Sequence, residues 1–176
     1  MKTKLILAAA ACLLASCQEK PAATAAPKAP AAPSAELSKV LATAPAGEAK
    51  AIHVARTTAK PGDEITLTGR IMGNKKPFVE GRAAFMVGDP ELLTACNEMP
   101  GDECKTPWDA CCDSADDKKT GTATDQIAGA DGKVLSEGLE GVGGLQNLAT
   151  VVVTGKVAPG SSADALIVNA TALQVK

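Results

Sequence analysis

The stretch KPGDEITLTGRI, residues 60–71, contains the pattern that decides the fold. A Lys-Pro-Gly-Asp turn comes first, and Ile65, Leu67, Gly69 and Ile71 then alternate with polar residues. Successive side chains of a strand point to opposite faces, so this period of two predicts a strand with one buried face. The same alternation returns several times further along the chain.

Four more strands are predicted, and each is bounded by turn residues such as Gly, Pro, Asp and Ser. These strands cover residues 83–87, 122–128, 149–157 and 165–175. An Ala-Asp-Gly turn after the third strand predicts a hairpin that returns through 133–135. The segment 139–148 predicts a weak helical link, because its glycines disfavour a longer helix. The sequence therefore indicates an all-β domain.

The order strand, strand, strand, helical link, strand, strand is that of the five-stranded OB-fold barrel. Residues 54–71 resemble the opening of small bacterial OB-fold domains, and 151–157 with 165–170 resemble their last two strands. This resemblance implies a five-stranded OB-fold-like barrel, with an immunoglobulin-like β-sandwich as the alternative. Gly69 and Gly155 are expected where strands of a small barrel coil sharply and come close together.

The start of the chain resembles the signal of bacterial lipoproteins. A short basic stretch precedes about ten apolar residues, a length typical of signal peptides and too short to span a bilayer. Leu14-Ala15-Ser16-Cys17 then resembles a lipobox. The resemblance implies that residues 1–16 are removed and that Cys17 is lipidated. The expected location is the cell envelope, and the outer membrane is favoured because Gln18 is not aspartate.

Three regions follow from this interpretation. Residues 1–16 are a lipoprotein signal peptide, and residues 17–45 are a lipidated cysteine with an Ala/Pro-rich tether that is expected to be disordered. Residues 46–176 are the OB-fold-like domain, with a cysteine-rich insertion at 89–120 between the second and third strands. Ser34 near the end of the tether could cap one or two helical turns.

The insertion contains Cys96, Cys104, Cys111 and Cys112. With Cys12 in the signal and Cys17 lipidated, these four are an even number of thiols in an oxidising compartment, which predicts two disulfides. Pairing 96–111 with 104–112 and pairing 96–112 with 104–111 both stay open. The alternative is a soft-metal site, with copper as the cofactor, because Cu(I) accepts thiolates in low-coordinate geometries.

No set of catalytic residues emerges from the sequence. His53 is the only histidine, and no serine or cysteine nucleophile is identifiable beside it, so an enzyme is not expected. The chain has two phenylalanines, one tryptophan, no tyrosine and a net charge of −2. Nucleic acid is therefore an unlikely partner, since single-strand-binding barrels use aromatic platforms and basic grooves.

The leading hypothesis is a membrane-anchored, non-enzymatic lipoprotein that acts as a binding or scaffolding module in the envelope. Its partner is expected to be an envelope protein or a glycan, in addition to the membrane that holds its lipid. The alternative is a lipoprotein that handles thiols or copper. Candidate ligand-binding residues lie in loops that flank the binding face of OB-folds, namely Lys75, Lys76, Phe78 and Trp108.

Overall fold

A computed structural model describes residues 32–176 of the chain. The predicted signal peptide, the lipidation of Cys17 and the first part of the tether lie outside the described residues. The described strands are β1 (Lys50–Ala51), β2 (Glu64–Arg70), β3 (Ala84–Gly88), β4 (Thr122–Gln126), β5 (Thr150–Val157) and β6 (Leu166–Val175). The helices are α1 (Ala35–Ala42), α2 (Ile52–Arg56) and α3 (Ala115–Gly121).

Five of the strands close into a barrel. β2 pairs with β3, β3 with β4, and β5 with β6, all antiparallel, while β4 and β6 are parallel. Antiparallel pairing of β2 with β5 closes the barrel, and β1 adds a short parallel strand beside β2. The predicted OB-fold-like barrel is confirmed, because closure leaves one sheet and not the two packed sheets of an immunoglobulin-like sandwich.

The barrel interior is filled by the alternating apolar side chains that the sequence predicts. Phe85 is fully buried, and Leu67, Val151, Val168 and Leu173 are 2% exposed or less. Burial of each such side chain is worth about 1.5–3 kcal/mol relative to exposure. The hairpin after β4 is reduced to a single bridge between Ala128 and Val134.

Gly69 and Gly155 lie where strands of the barrel come close together, as predicted. A Cβ atom on Gly155 would be 2.4 Å from the carbonyl oxygen of Asn169, and one on Gly69 would be 2.5 Å from Cγ1 of Val87. The β5–β6 register shifts between Thr154 and Gly155, which is a bulge. Only glycine fits these positions without displacing a neighbour.

Helix α1 precedes the barrel and packs on it. The hydroxyl of Ser34 accepts a hydrogen bond from the Leu37 amide, which confirms the predicted cap, and Leu37 is fully buried. The Ser34 amide donates to the Glu137 carboxylate at 3.0 Å. Residues 32–176 therefore belong to one compact unit that includes α1. Among residues 32–176, no helix is both long and apolar enough to cross a membrane.

The link between β4 and β5 is less helical than predicted. It contains a single 3-10 turn, Val142–Gly144, because Gly141, Gly143 and Gly144 have positive φ angles. Helix α3 is an element that the sequence analysis did not predict. Ser114 caps it, acidic residues lie in its first turn and lysines lie in its last turn. This charge order stabilises a short helix through its dipole.

Candidate functional site

The cysteine-rich insertion between β3 and β4 has a small core of its own. Leu93, Ala95 and Ala110 are almost fully buried against Met72, with Leu92 partly buried beside them. The guanidinium of Arg70, at the end of β2, also donates to the carboxylate of Glu98 in the insertion. The insertion is therefore attached to the barrel by apolar contacts and by an ion pair.

Backbone hydrogen bonds hold the two limbs of the insertion side by side. The Cys96 amide donates to the Asp109 carbonyl at 2.8 Å, and the Asn97 amide donates to the Pro107 carbonyl at 3.0 Å. The Thr94 amide also donates to the Asp113 carboxylate at 2.9 Å. These contacts bring cysteines that are fifteen positions apart into the same place.

Three of the four thiols converge there. The Sγ atoms of Cys96, Cys104 and Cys111 all lie within 4.8 Å of one another, and those of Cys96 and Cys111 are 3.4 Å apart. The Cys112 sulfur lies 3.9 Å from that of Cys111 and is outside this group. We call Cys96, Cys104 and Cys111 the three-thiol cluster.

The two predicted disulfides are not formed in the described residues. All four cysteines there are free, and even the nearest sulfurs are well beyond the S–S bond length of about 2.05 Å. The sequence analysis treated the cysteines as two pairs, but the fold gathers three and leaves Cys112 beside them. The closest pair, Cys96 and Cys111, belongs to only one of the two pairings that the sequence left open.

The three thiols differ in acidity because their surroundings differ. Burial raises the pKa of Cys96 to about 12. Hydrogen bonds with Thr106, including one of 3.3 Å to its hydroxyl, lower the pKa of Cys104. For Cys111, a hydrogen bond with Cys96 lowers the pKa, but one with Cys112, burial and the neighbouring thiols together raise it. Cys104 is thus the thiol that ionises most readily.

The spacing of the sulfurs matches that of ligands on one metal ion. Two thiolates bound at about 2.3 Å lie roughly 3.8 Å apart in a tetrahedral site and about 4.6 Å apart in a linear one. In the three-thiol cluster, the sulfurs of Cys96 and Cys111 are 3.4 Å apart and no two sulfurs are more than 4.8 Å apart, which is close to this spacing. Its sulfur-only donor set suits soft ions such as Cu(I).

The structure brings together two of the four predicted ligand-binding residues. The indole N–H of Trp108 donates to the Lys75 carbonyl at 3.1 Å, and the Gly73 amide donates to the Trp108 carbonyl at 3.0 Å. The side chains of Lys75 and Lys76 are exposed. Phe78 is half-buried, and its ring packs on that of Phe85 with the centroids 6.1 Å apart. Phe78 is therefore turned toward the core.

A second polar cluster, which the sequence analysis missed, joins α2 to the loop after β3. Asp89 is fully buried, and its Oδ2 lies 2.7 Å from Nδ1 of His53 and accepts the His53 amide at 2.9 Å. Asp89 Oδ1 accepts the Glu91 amide at 3.0 Å, and Glu91 Oε2 is 4.0 Å from His53 Nε2. His53 and Asp89 are 36 positions apart, so no local pattern could reveal the pair.

A third feature is a buried carboxyl group inside the barrel. Asp125 on β4 is fully buried, and neither of its carboxyl oxygens has a hydrogen-bond partner among the described residues. Burial raises its pKa to about 7. Its partners across the neighbouring strands are Phe85 and Val168, which carry no charge.

No family model, curated protein or solved structure matches the chain. The function must therefore be inferred from the residues of these sites.

Proposed function

We propose that this protein is a lipid-anchored protein of the cell envelope that binds one Cu(I) ion through the three-thiol cluster. The observation that supports the proposal is the convergence of Cys96, Cys104 and Cys111, whose sulfurs lie within 4.8 Å of one another. Lipidation at Cys17 would hold the site in the envelope, with the outer membrane favoured. This is a binding function, and no enzymatic reaction is proposed.

The donor set favours Cu(I) over other ions. Soft thiolates select Cu(I) and zinc among biological metals, whereas magnesium, calcium and manganese prefer oxygen. Closed structural zinc sites, which bind no water, almost always have four protein ligands, whereas Cu(I) accepts fewer. Among the cysteines of residues 32–176, only three converge, and Cys112, next to Cys111 in sequence, is outside the group. Three sulfurs, of which Cys96 is buried and Cys111 exposed, are a sufficient set for Cu(I), which is stable in low-coordinate geometries.

Competition for Cu(I) with a chromophoric chelator tests this proposal. The full-length chain is used with Cys12→Ser and Cys17→Ser, so that its only thiols are the four of the insertion. Under anaerobic, reducing conditions we expect one equivalent of Cu(I) to bind. Cys104→Ser or Cys111→Ser should weaken binding by about a hundredfold or more, because loss of even an outer-shell partner costs 10–100-fold. Cys112→Ser is the matched control and should leave the affinity unchanged.

The competing interpretation is a pair of structural disulfides. Fully reduced protein that takes up no Cu(I), or that loses affinity equally in Cys112→Ser, would contradict the copper proposal. A peptide map of protein purified without reductant then identifies any bridge, and each bridge lowers the intact mass by two hydrogens. A bridge between Cys96 and Cys111, the closest pair at 3.4 Å, is the one expected in that case.

A binding or scaffolding module is the second candidate function. The observation that favours it is the hydrogen bond from the Trp108 indole to the backbone carbonyl of Lys75, because Lys75 and its sequence neighbour Lys76 are exposed. Such a surface suits an envelope glycan or an acidic protein segment, because sugars stack on aromatic rings and lysines attract anions.

Co-sedimentation with purified cell-wall glycan tests this second candidate. Markedly less of the Trp108→Ala variant than of the unaltered chain should sediment with the glycan. Equal sedimentation of the two would exclude Trp108 from glycan binding.

A further inference from the structure

The imidazole of His53 is held in one orientation by a buried carboxylate. Nδ1 lies 2.7 Å from Asp89 Oδ2, and this contact favours the tautomer that carries its proton on Nδ1, because a carboxylate accepts hydrogen bonds. The lone pair of the neutral ring then lies on Nε2. Asp89 is itself fixed by the amides of His53 and Glu91, at 2.9 and 3.0 Å. The chain therefore presents Nε2 as a fixed electron-pair donor.

A second side chain that can bind a metal lies near Nε2. The His53 side chain is 30% exposed, and Glu91, whose side chain is 69% exposed, places Oε2 4.0 Å from Nε2. A nitrogen and an oxygen bound to one zinc ion at about 2.1 Å lie roughly 3.4 Å apart, which a small rotation of Glu91 reaches. Histidine ligands of zinc commonly donate their other ring N–H to a carboxylate, as His53 does to Asp89.

We propose that His53 and Glu91 form a second metal site, which takes a divalent ion of the Zn²⁺ class. Nε2 of His53 and the Glu91 carboxylate would be the two protein ligands, water would complete the coordination, and Asp89 would be the positioning residue. The donors are nitrogen and oxygen, so this site differs in chemistry from the three-thiol cluster and does not depend on it. One chain would thus hold a soft ion and a borderline ion at separate places.

Nitrogen-15 NMR of the imidazole tests this site directly, because His53 is the only histidine in the chain. The full-length protein is prepared without a histidine tag and labelled with ¹⁵N-histidine. Before metal is added, we expect the signal of an unprotonated Nε2 and a protonated Nδ1. Addition of Zn²⁺ should shift the Nε2 resonance strongly and leave the Nδ1 proton in place. Zinc taken up by cysteines elsewhere would not produce this signature.

Two variants separate coordination from folding. The Glu91→Gln variant keeps the backbone amide that donates to Asp89. Its affinity for Zn²⁺, measured from the shift of the Nε2 resonance, should be lower by about tenfold or more. Glu80→Gln, an exposed glutamate elsewhere, is the control and should not change it. Asp89→Asn should release the ring, so that a protonated Nε2 appears in the metal-free spectrum. An Nε2 signal unmoved by millimolar Zn²⁺, or equal affinities in Glu91→Gln and Glu80→Gln, would overturn the proposal.

Discussion

Asp125→Asn is expected to raise the free energy of unfolding, relative to the unaltered chain, by about 4 kcal/mol more at pH 8 than at pH 4. Asp125 is fully buried in the barrel with no partner for its carboxyl group among the described residues, and its pKa is raised to about 7. The ordinary value is 3.8. A pKa difference of about three, at about 1.4 kcal/mol per pKa unit, gives this magnitude.

The sign follows from which state holds the proton. Below pH 3.8 the carboxyl group is protonated in both the folded and the unfolded chain, so it carries no ionisation penalty. As the pH rises toward about 7, the unfolded chain releases the proton and the folded chain keeps it, so stability is lost across this interval. At higher pH both states are ionised and the penalty is constant. Asparagine has almost the same shape and does not ionise.

Urea unfolding followed by circular dichroism at several pH values measures this difference. Asp116→Asn is the matched control, because Asp116 is an exposed aspartate on α3, just before β4. The difference in free energy of unfolding between the Asp116→Asn variant and the unaltered chain should vary little with pH. A difference between Asp125→Asn and the unaltered protein that is the same at pH 4 and pH 8 would show that Asp125 is already ionised, or solvated, inside the fold.

Gly155→Ala is expected to destabilise the barrel by about 3 kcal/mol or more, at the upper end of the usual cost of overpacking. The added Cβ would lie 2.4 Å from the Asn169 carbonyl oxygen and 2.8 Å from the Ala170 Cα. Both atoms belong to the backbone of β6, so no side-chain rotation relieves the clash. Relief requires β5 and β6 to separate at the bulge, which disrupts the pairing that leads to barrel closure.

Gly160→Ala provides the comparison for this substitution. Gly160 lies in the connection between β5 and β6, and its Cβ would meet only Cδ1 of Ile167, at an ordinary contact distance of 3.8 Å. The free energy of unfolding of the Gly160→Ala variant should differ from that of the unaltered chain by less than about 0.5 kcal/mol, as for most surface substitutions. If urea unfolding gave the two variants the same stability, the close approach at Gly155 would not be a constraint on the fold.

The barrel could be predicted because its information is local. Alternation from Ile65 to Ile71 and in β6, and the run of valines in β5, are properties of neighbouring residues. The signals for α3 were also present, since Ser114 is followed by acids and then by lysines, but its sequence lacks the apolar period of a packed helix. Capping alone was too weak a signal to predict that helix.

The candidate sites depend on contacts between distant residues. The sequence showed four cysteines in the insertion, but the identity of the three that converge depends on the hydrogen bonds between residues 96–97 and 107–109. The pairing of His53 with Asp89 depends on α2 lying against the loop after β3. Asp125 is different, because it lies on the same inner face as Ala123, two residues before it, and is followed two residues later by the buried Ile127, so the pattern itself could have revealed a buried acid.

The hydrogen bond between Ser34 and Glu137 limits the distance of the folded unit from the proposed lipid anchor. It fixes residue 34 to the barrel, and Cys17 lies 17 positions earlier. A fully extended chain of that length spans at most about 60 Å. If Cys17 is lipidated, as proposed above, residue 34 stays within that distance of the bilayer. A metal donor in the same membrane would therefore meet the thiols at a high effective concentration.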